Sequence, residues 1–143
     1  MFSTPSMSTA RRGHPAMAYQ RVHVESQVEG YATPHRLVSM LFDGAFESIA
    51  RAKGAIGERD IEAKGKAIGR AVAIVEEGLR ASLDLKSGGK VARDLNDLYT
   101  YVARRLTYAN LKNDVAALDE CAKLLKPVQE AWNAIAPDAG VPN

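Results

Sequence analysis

The chain has 143 residues, 46% of them hydrophobic, and its 19 basic and 17 acidic side chains leave a net charge of +2. That is enough apolar material for a single core, while charges so evenly mixed provide no electrostatic footprint for nucleic acid. The lone cysteine, Cys121, rules out an internal disulfide, and no apolar run approaches the roughly 18 residues that a membrane span requires.

Residues 1–15 are rich in Ser, Thr and Pro, repeat at neither 3.6 nor 2 residues, and read as a tail. Arg11 and Arg12 lack the following apolar run of a secretory signal, so the expected location is cytoplasmic. A helical domain is expected over 16–136. From Ala16 to Ser26, Tyr19, Val22 and Val24 stand among polar residues, enough for a short helix or an extended clip that needs a surface to rest on.

Thr33 and Pro34 supply an N-cap and a pre-set φ, and open a long helix to about Ile56. Its apolar residues form two stripes: Leu37, Leu41, Ala45 and Ile49 on one, Val38, Phe42 and Phe46 on the next. So broad a face is either wedged into a bundle or partly kept for a partner. The glycines Gly54 and Gly57 mark the expected left-handed stop.

Asp60 caps the next helix, expected to run unbroken to Leu83 with Ile61, Ile68, Val72, Val75, Leu79 and Leu83 on its seam. Gly65, Gly69 and Gly78 in its interior each cost about 1 kcal/mol relative to alanine. They call for the close approach of another helix, from within the fold or from a partner.

After Ser87, Gly88 and Gly89, a helix from about Val91 to Leu111 carries Val91, Leu95, Leu98, Val102, Leu106 and Ala109, with Tyr99, Tyr101 and Tyr108 off that seam. Asn113 and Asp114 cap a last helix whose stripe runs Val115, Leu118, Cys121, Leu125, Val128, Trp132 and Ile135. Pro127 is expected to kink it, and residues 137–143 form a short C-terminal tail. Four long helices joined by short turns predict an all-α, antiparallel up-and-down four-helix bundle, preceded by the short N-terminal helix or clip.

Chemistry is sparse. There is no Glu-x-x-His, and His14, His23 and His35 all precede or open the first long helix, so neither a metal site nor a cofactor is expected. No nucleophile has a base placed beside it, and Asp43, Glu47, Asp94 and Asp97 are spaced as solvated faces are. A catalytic constellation is absent, and the chain reads as a non-enzyme. His35 admits one alternative, a histidine phosphotransfer bundle, although the first turn of a helix disfavours the imidazolium. The surplus stripe Val38, Phe42 and Phe46, the glycine-bearing stripe and the off-seam Tyr101 and Tyr108 favour binding, with an amphipathic helix laid into an apolar groove. A purely self-associating bundle is the other non-enzymatic reading.

The ordered series Ala18 to Ser26, Thr33-Pro34-His35-Arg36-Leu37 through Ala45, Leu79 to Leu85 with Gly88-Gly89, Leu98-Tyr99-Thr100-Tyr101, Arg104-Arg105-Leu106, Asn113-Asp114 and Ala131-Trp132 resembles the flagellar export chaperones of the FliS family. The likeness spans about Ala18 to Ile135. It implies a cytoplasmic chaperone, without cofactor, that binds the disordered C-terminal segment of flagellin and blocks premature polymerisation. Tyr19 matches the family's N-terminal tyrosine. With Val22 it is the expected clip of the client site, while Val38, Phe42, Phe46, Tyr101 and Tyr108 are the expected groove walls. The flagellar export apparatus is a further expected contact, and pairing of two chains without client is left open.

Overall fold

The computed structural model describes residues 33–135. Four antiparallel helices form one bundle: α1 (Pro34–Gly57), α2 (Ile61–Ala73) continuing into a π-helical segment Ile74–Arg80, α3 (Gly89–Lys112) and α4 (Val115–Ala134). Among the described residues there is no strand, and the all-α bundle read from the sequence stands. Helix α1 packs on α2 and α4, and α3 on the same two from the other side. The clip residues Tyr19 and Val22 lie outside the described residues.

The starts follow the capping chemistry. Thr33 Oγ1 accepts from Arg36 N at 3.0 Å, Asp60 from Ala63 N at 3.0 Å, and Asp114 from Ala117 N at 3.1 Å. The end of α1 differs from expectation. Gly54 and Gly57 stay helical, and the left-handed residue is Arg59, at φ 60°. Its conformation lets Asp60 N reach Ala55 O at 2.9 Å and so closes the helix, at a cost of about 1 kcal/mol for a side chain in that region.

Leu41, Phe42, Ile68, Val75, Leu79, Val102, Leu106, Leu118, Cys121 and Leu125 are sealed in the core. The seam of α2 departs from its heptad reading at both ends. Ile61, in the first turn, is 76% exposed, and from Ile74 the helix takes the wider i→i+5 pattern. Within this segment Ile74, Val75, Gly78 and Leu79 are buried.

The three glycines of this helix separate by surroundings. A Cβ at Gly78 would stand 2.9 Å from Leu41 Cδ2, whereas one at Gly65 or Gly69 would meet nothing within 4 Å. Close approach inside the fold therefore explains Gly78 alone. Gly69→Ala is expected to stabilise the bundle by about 1 kcal/mol and Gly78→Ala to fall short of that gain or reverse it. Thermal melts of the two variants decide the point, and equal shifts would refute the packing argument.

In α3 the buried stripe is Ala92, Tyr99, Val102, Ala103, Leu106 and Ala109. Tyr99, read as off-seam, is 3% exposed, while Val91, read as seam, is 69% exposed. In the first turns of α3 the buried residues Ala92 and Tyr99 each lie one position beyond the expected seam residues Val91 and Leu98. Gly88 is required here, because an added Cβ would lie 2.5 Å from both Asp84 O and Ala92 Cβ. Helix α4 passes through Pro127 and continues to Ala134.

Burial pushes the Tyr99 phenol up to about 12 and the Cys121 thiol up to about 12, from ordinary values of 10.0 and 9.0. Both groups are neutral when protonated, and the folded state holds their protons more tightly than the unfolded chain does. Their contribution to stability is complete below about pH 9 and is lost as pH rises towards about 12. Denaturant midpoints are expected to drop steadily from pH 8 to pH 11. A flat profile would show that the two groups are not buried.

Candidate functional site

An apolar cleft of about 860 Å³ opens at the end of the bundle where α1 begins and α4 ends. Every helix contributes to it. Leu37, Val38 and Phe42 come from α1, Leu79 and Leu83 from the π segment and the turn after it, Val91, Leu95 and Tyr99 from α3, and Val128 and Trp132 from α4, with Ile135 just past its end. Ser82 and Asp84 are its polar members. Phe42 and Leu79, each 1% exposed, form the floor, and the rim residues Val91 and Ile135 are 69% and 55% exposed. Asp84 is occupied in its own turn, where its Oδ1 accepts from Lys86 N and Ser87 N, both at 3.1 Å. The bonds from Ser87 hold its carboxyl below the usual range.

One wall is fixed by a reciprocal bracket. His35 Nε2 lies 2.9 Å from Trp132 O; since a carbonyl only accepts, this nitrogen carries the proton and donates. Trp132 Nε1 donates in return to His35 O at 3.1 Å, and the two rings stack with centroids 4.7 Å apart and planes 10° from parallel. The bracket ties the first turn of α1 to the last of α4 and holds the indole at the cleft. The histidine that phosphotransfer would need free is thus engaged through Nε2 and through one ring face.

Of the residues read as groove walls, the structure brings Val38 and Phe42 to the cleft. Phe46 lies further along α1, partly buried against the core, with Lys126 Nζ 5.6 Å from its ring centroid. Tyr101 and Tyr108, 42% and 41% exposed, belong to a different face. There Tyr101 donates to Glu120, Arg105 Nε binds Glu120 Oε1 at 2.8 Å, and the Arg105 guanidinium sits 4.6 Å over the Tyr108 ring. The hydrogen bonds from Tyr101 and Arg105 hold the Glu120 carboxyl low. Phe46, Tyr101 and Tyr108 do not share a surface with the cleft.

The other apolar walls, Leu37, Leu79, Leu83, Val91, Leu95, Tyr99, Val128, Trp132 and Ile135, are not among the groove residues expected from the sequence. Most of them carry the same heptad-like spacing as the core, and periodicity does not distinguish a residue that seals a core from one that faces an opening. A usable signal was the proximity of Val91 and Ile135 to helix ends.

Among the described residues, no group of three or more His, Cys, Asp or Glu side chains is placed to hold a metal, and no helix is long and apolar enough to cross a membrane. The family model described as flagellar protein FliS matches residues 15–139. The chain belongs to the FliS family.

The flagellar secretion chaperone FliS of Salmonella typhimurium is 46% identical to it over 122 residues, which cover 85% of this chain and 90% of that protein. FliSB of Pseudomonas aeruginosa is 44% identical over 117 residues, covering 82% and 91% of the two chains. FliS of Bacillus subtilis is 31% identical over 119 residues, covering 83% and 84%. The FliS resemblance read from the Thr33–Ala45 stretch and the later motifs is therefore sound, and the chain is a member of a family of flagellar secretion chaperones.

Proposed function

We propose that this FliS-family chain is a cytoplasmic, non-enzymatic chaperone that holds the C-terminal segment of flagellin and keeps it from polymerising before export. The observation that carries the reading is the open apolar cleft, walled by all four helices and rimmed by the exposed Val91 and Ile135. Soluble monomers rarely leave so contiguous an apolar surface without a partner. A flagellin terminus has apolar faces that must find neighbours in a filament. Covering them with an apolar cleft withholds those faces until delivery to the export apparatus.

Folding of the segment on binding buries about 1,000–3,000 Å² and spends several kcal/mol on ordering, which keeps the complex specific yet releasable. In this reading Tyr19 and Val22 form the clip beside the site, and Val38 and Phe42 are the cleft residues nearest the helix start.

The test uses Val91→Glu. A carboxylate in the first turn of α3 suits the positive end of that helix, and the side chain is exposed, so the fold is expected to persist. Co-expression with the host's flagellin followed by size-exclusion chromatography should yield a complex with the parent chain. Calorimetry with a flagellin C-terminal segment should show affinity at least about tenfold weaker for the variant. Undiminished affinity would remove the cleft from the site.

A further inference from the structure

The polar side chains that border the apolar cleft are each engaged within the chain, with one exception. Asp84 is held in its own turn, Ser82 Oγ donates to Leu79 O at 2.8 Å, and Trp132 Nε1 donates to His35 O at 3.1 Å. The exception is Tyr99. Among the described residues its hydroxyl has no hydrogen-bond partner, whereas the exposed Tyr101 of the same helix donates to Glu120. Tyr99 is 3% exposed and stands about one turn of α3 from the sealed Val102 on one side and from Leu95, another cleft wall, on the other. Leaving a buried donor unpaired is costly, and phenylalanine would build the same wall without that cost. The open space that Tyr99 borders is where a partner for its hydroxyl can arrive.

Chemistry narrows the choice of partner. Burial pushes the phenol up to about 12, so at neutral pH it keeps its proton and acts as a donor. Among the described residues no Lys, Arg or His lines the cleft, and the charged member of the lining is Asp84, whose carboxylate opposes the entry of a second one. The acceptor is therefore neutral. An amide carbonyl is the neutral acceptor that a peptide carries in quantity, on the side chains of Asn and Gln or among the last main-chain carbonyls that a helix leaves unpaired.

We propose that Tyr99 is a specificity-determining residue of the cleft, its hydroxyl donating to an amide carbonyl of the bound client segment. The proposal rests on the client reading above and adds a polar requirement to it. A segment that fits the apolar walls must also bring a carbonyl to the wall at Tyr99. Segments lacking one are rejected, because they seal the hydroxyl in without a partner.

The experiment sets Tyr99→Phe beside the parent, both as full chains, in thermal melts and in calorimetry with a flagellin C-terminal segment. Without client, the variant should melt at or above the parent's temperature, since the group removed has no partner to lose. Its affinity for the segment should fall about fivefold, the loss of one neutral hydrogen bond. A second series locates the acceptor. Each Asn and Gln of the segment is replaced in turn by Leu, and the main-chain amides of its last turn are replaced in turn by esters, whose carbonyls accept weakly. One replacement should weaken binding to the parent by a similar factor and leave binding to Tyr99→Phe unchanged. A leucine in that role assigns a side-chain amide, and an ester assigns the main chain.

Equal or tighter binding of the segment by Tyr99→Phe would overturn the proposal and leave the chaperone reading standing. A variant that melts clearly below the parent would overturn it too, because the hydroxyl would then have its partner within this chain, residues 1–32 and 136–143 included. So would a loss of affinity that adds in full to the effect of every replacement. If the parent chain binds no segment at all, the client reading falls, and this proposal with it.

Discussion

Trp132→Ala is expected to lower stability by about 2–4 kcal/mol and to weaken client binding about thirtyfold. Trp132 is partly buried, which places the cost below that of a fully sealed aromatic, but three separate interactions go with it. The stack on His35 is lost, the bond from Nε1 to His35 O is lost, and the cleft loses its largest wall. Trp132→Phe separates these contributions. It keeps an aromatic face against His35 and much of the wall, and gives up the N–H donor, for about 1 kcal/mol and a smaller change in affinity. Chemical denaturation and calorimetry on the same samples provide the check. Full affinity in Trp132→Ala would mean that the indole serves the fold and not the client.

Leu118→Ala is the largest expected loss of stability, about 3–5 kcal/mol, with client affinity unchanged in the fraction that remains folded. Its side chain is 0% exposed in the cluster that joins Leu106, Val102 and Cys121, and it does not line the cleft. A cavity left there has little means of collapse, since helix backbones surround it. A denaturation midpoint within error of the parent would contradict the core assignment. Leu98, which carries the same sequence signal, is only partly buried, and its truncation should cost less.

The contrast between Leu118 and Trp132 shows what the sequence makes legible. Caps at Thr33, Asp60 and Asp114, and the core positions Leu41, Ile68, Leu106 and Leu118, follow from local hydrogen-bonding chemistry and helical period. The cleft does not, because Trp132, Leu95 and Val91 have the spacing of core residues and differ from them only in lying where neighbouring helices stop covering each other. The π segment is also invisible to a heptad count, since Ile68, Val75 and Leu79 fit a regular seam while Gly78 joins Leu79 in the core. Arg59 at φ 60° illustrates the same limit. Two nearby glycines drew the expected stop, yet the backbone turned at a residue whose side chain gives no such signal.

Tyr101 and Tyr108 illustrate a different point. Off-seam aromatic residues suggested a docking wall, and the structure gives them partners within the chain, in Glu120 and Arg105. Tyr101 and Tyr108 are thus surface features of α3, separate from the opening formed by Val38, Phe42, Val91 and Trp132, whereas the third off-seam aromatic, Tyr99, is buried at that opening.

The most direct test of the account is to label the methyl groups of Ile, Leu and Val and follow their NMR signals as a flagellin C-terminal segment is added. Binding at the cleft predicts that Leu37, Val38, Leu83, Val91, Leu95 and Ile135 shift together and saturate at one stoichiometry, while the core methyls of Leu118 move little. Shifts confined to methyls beside Tyr101 and Tyr108, with those six unmoved, would contradict it.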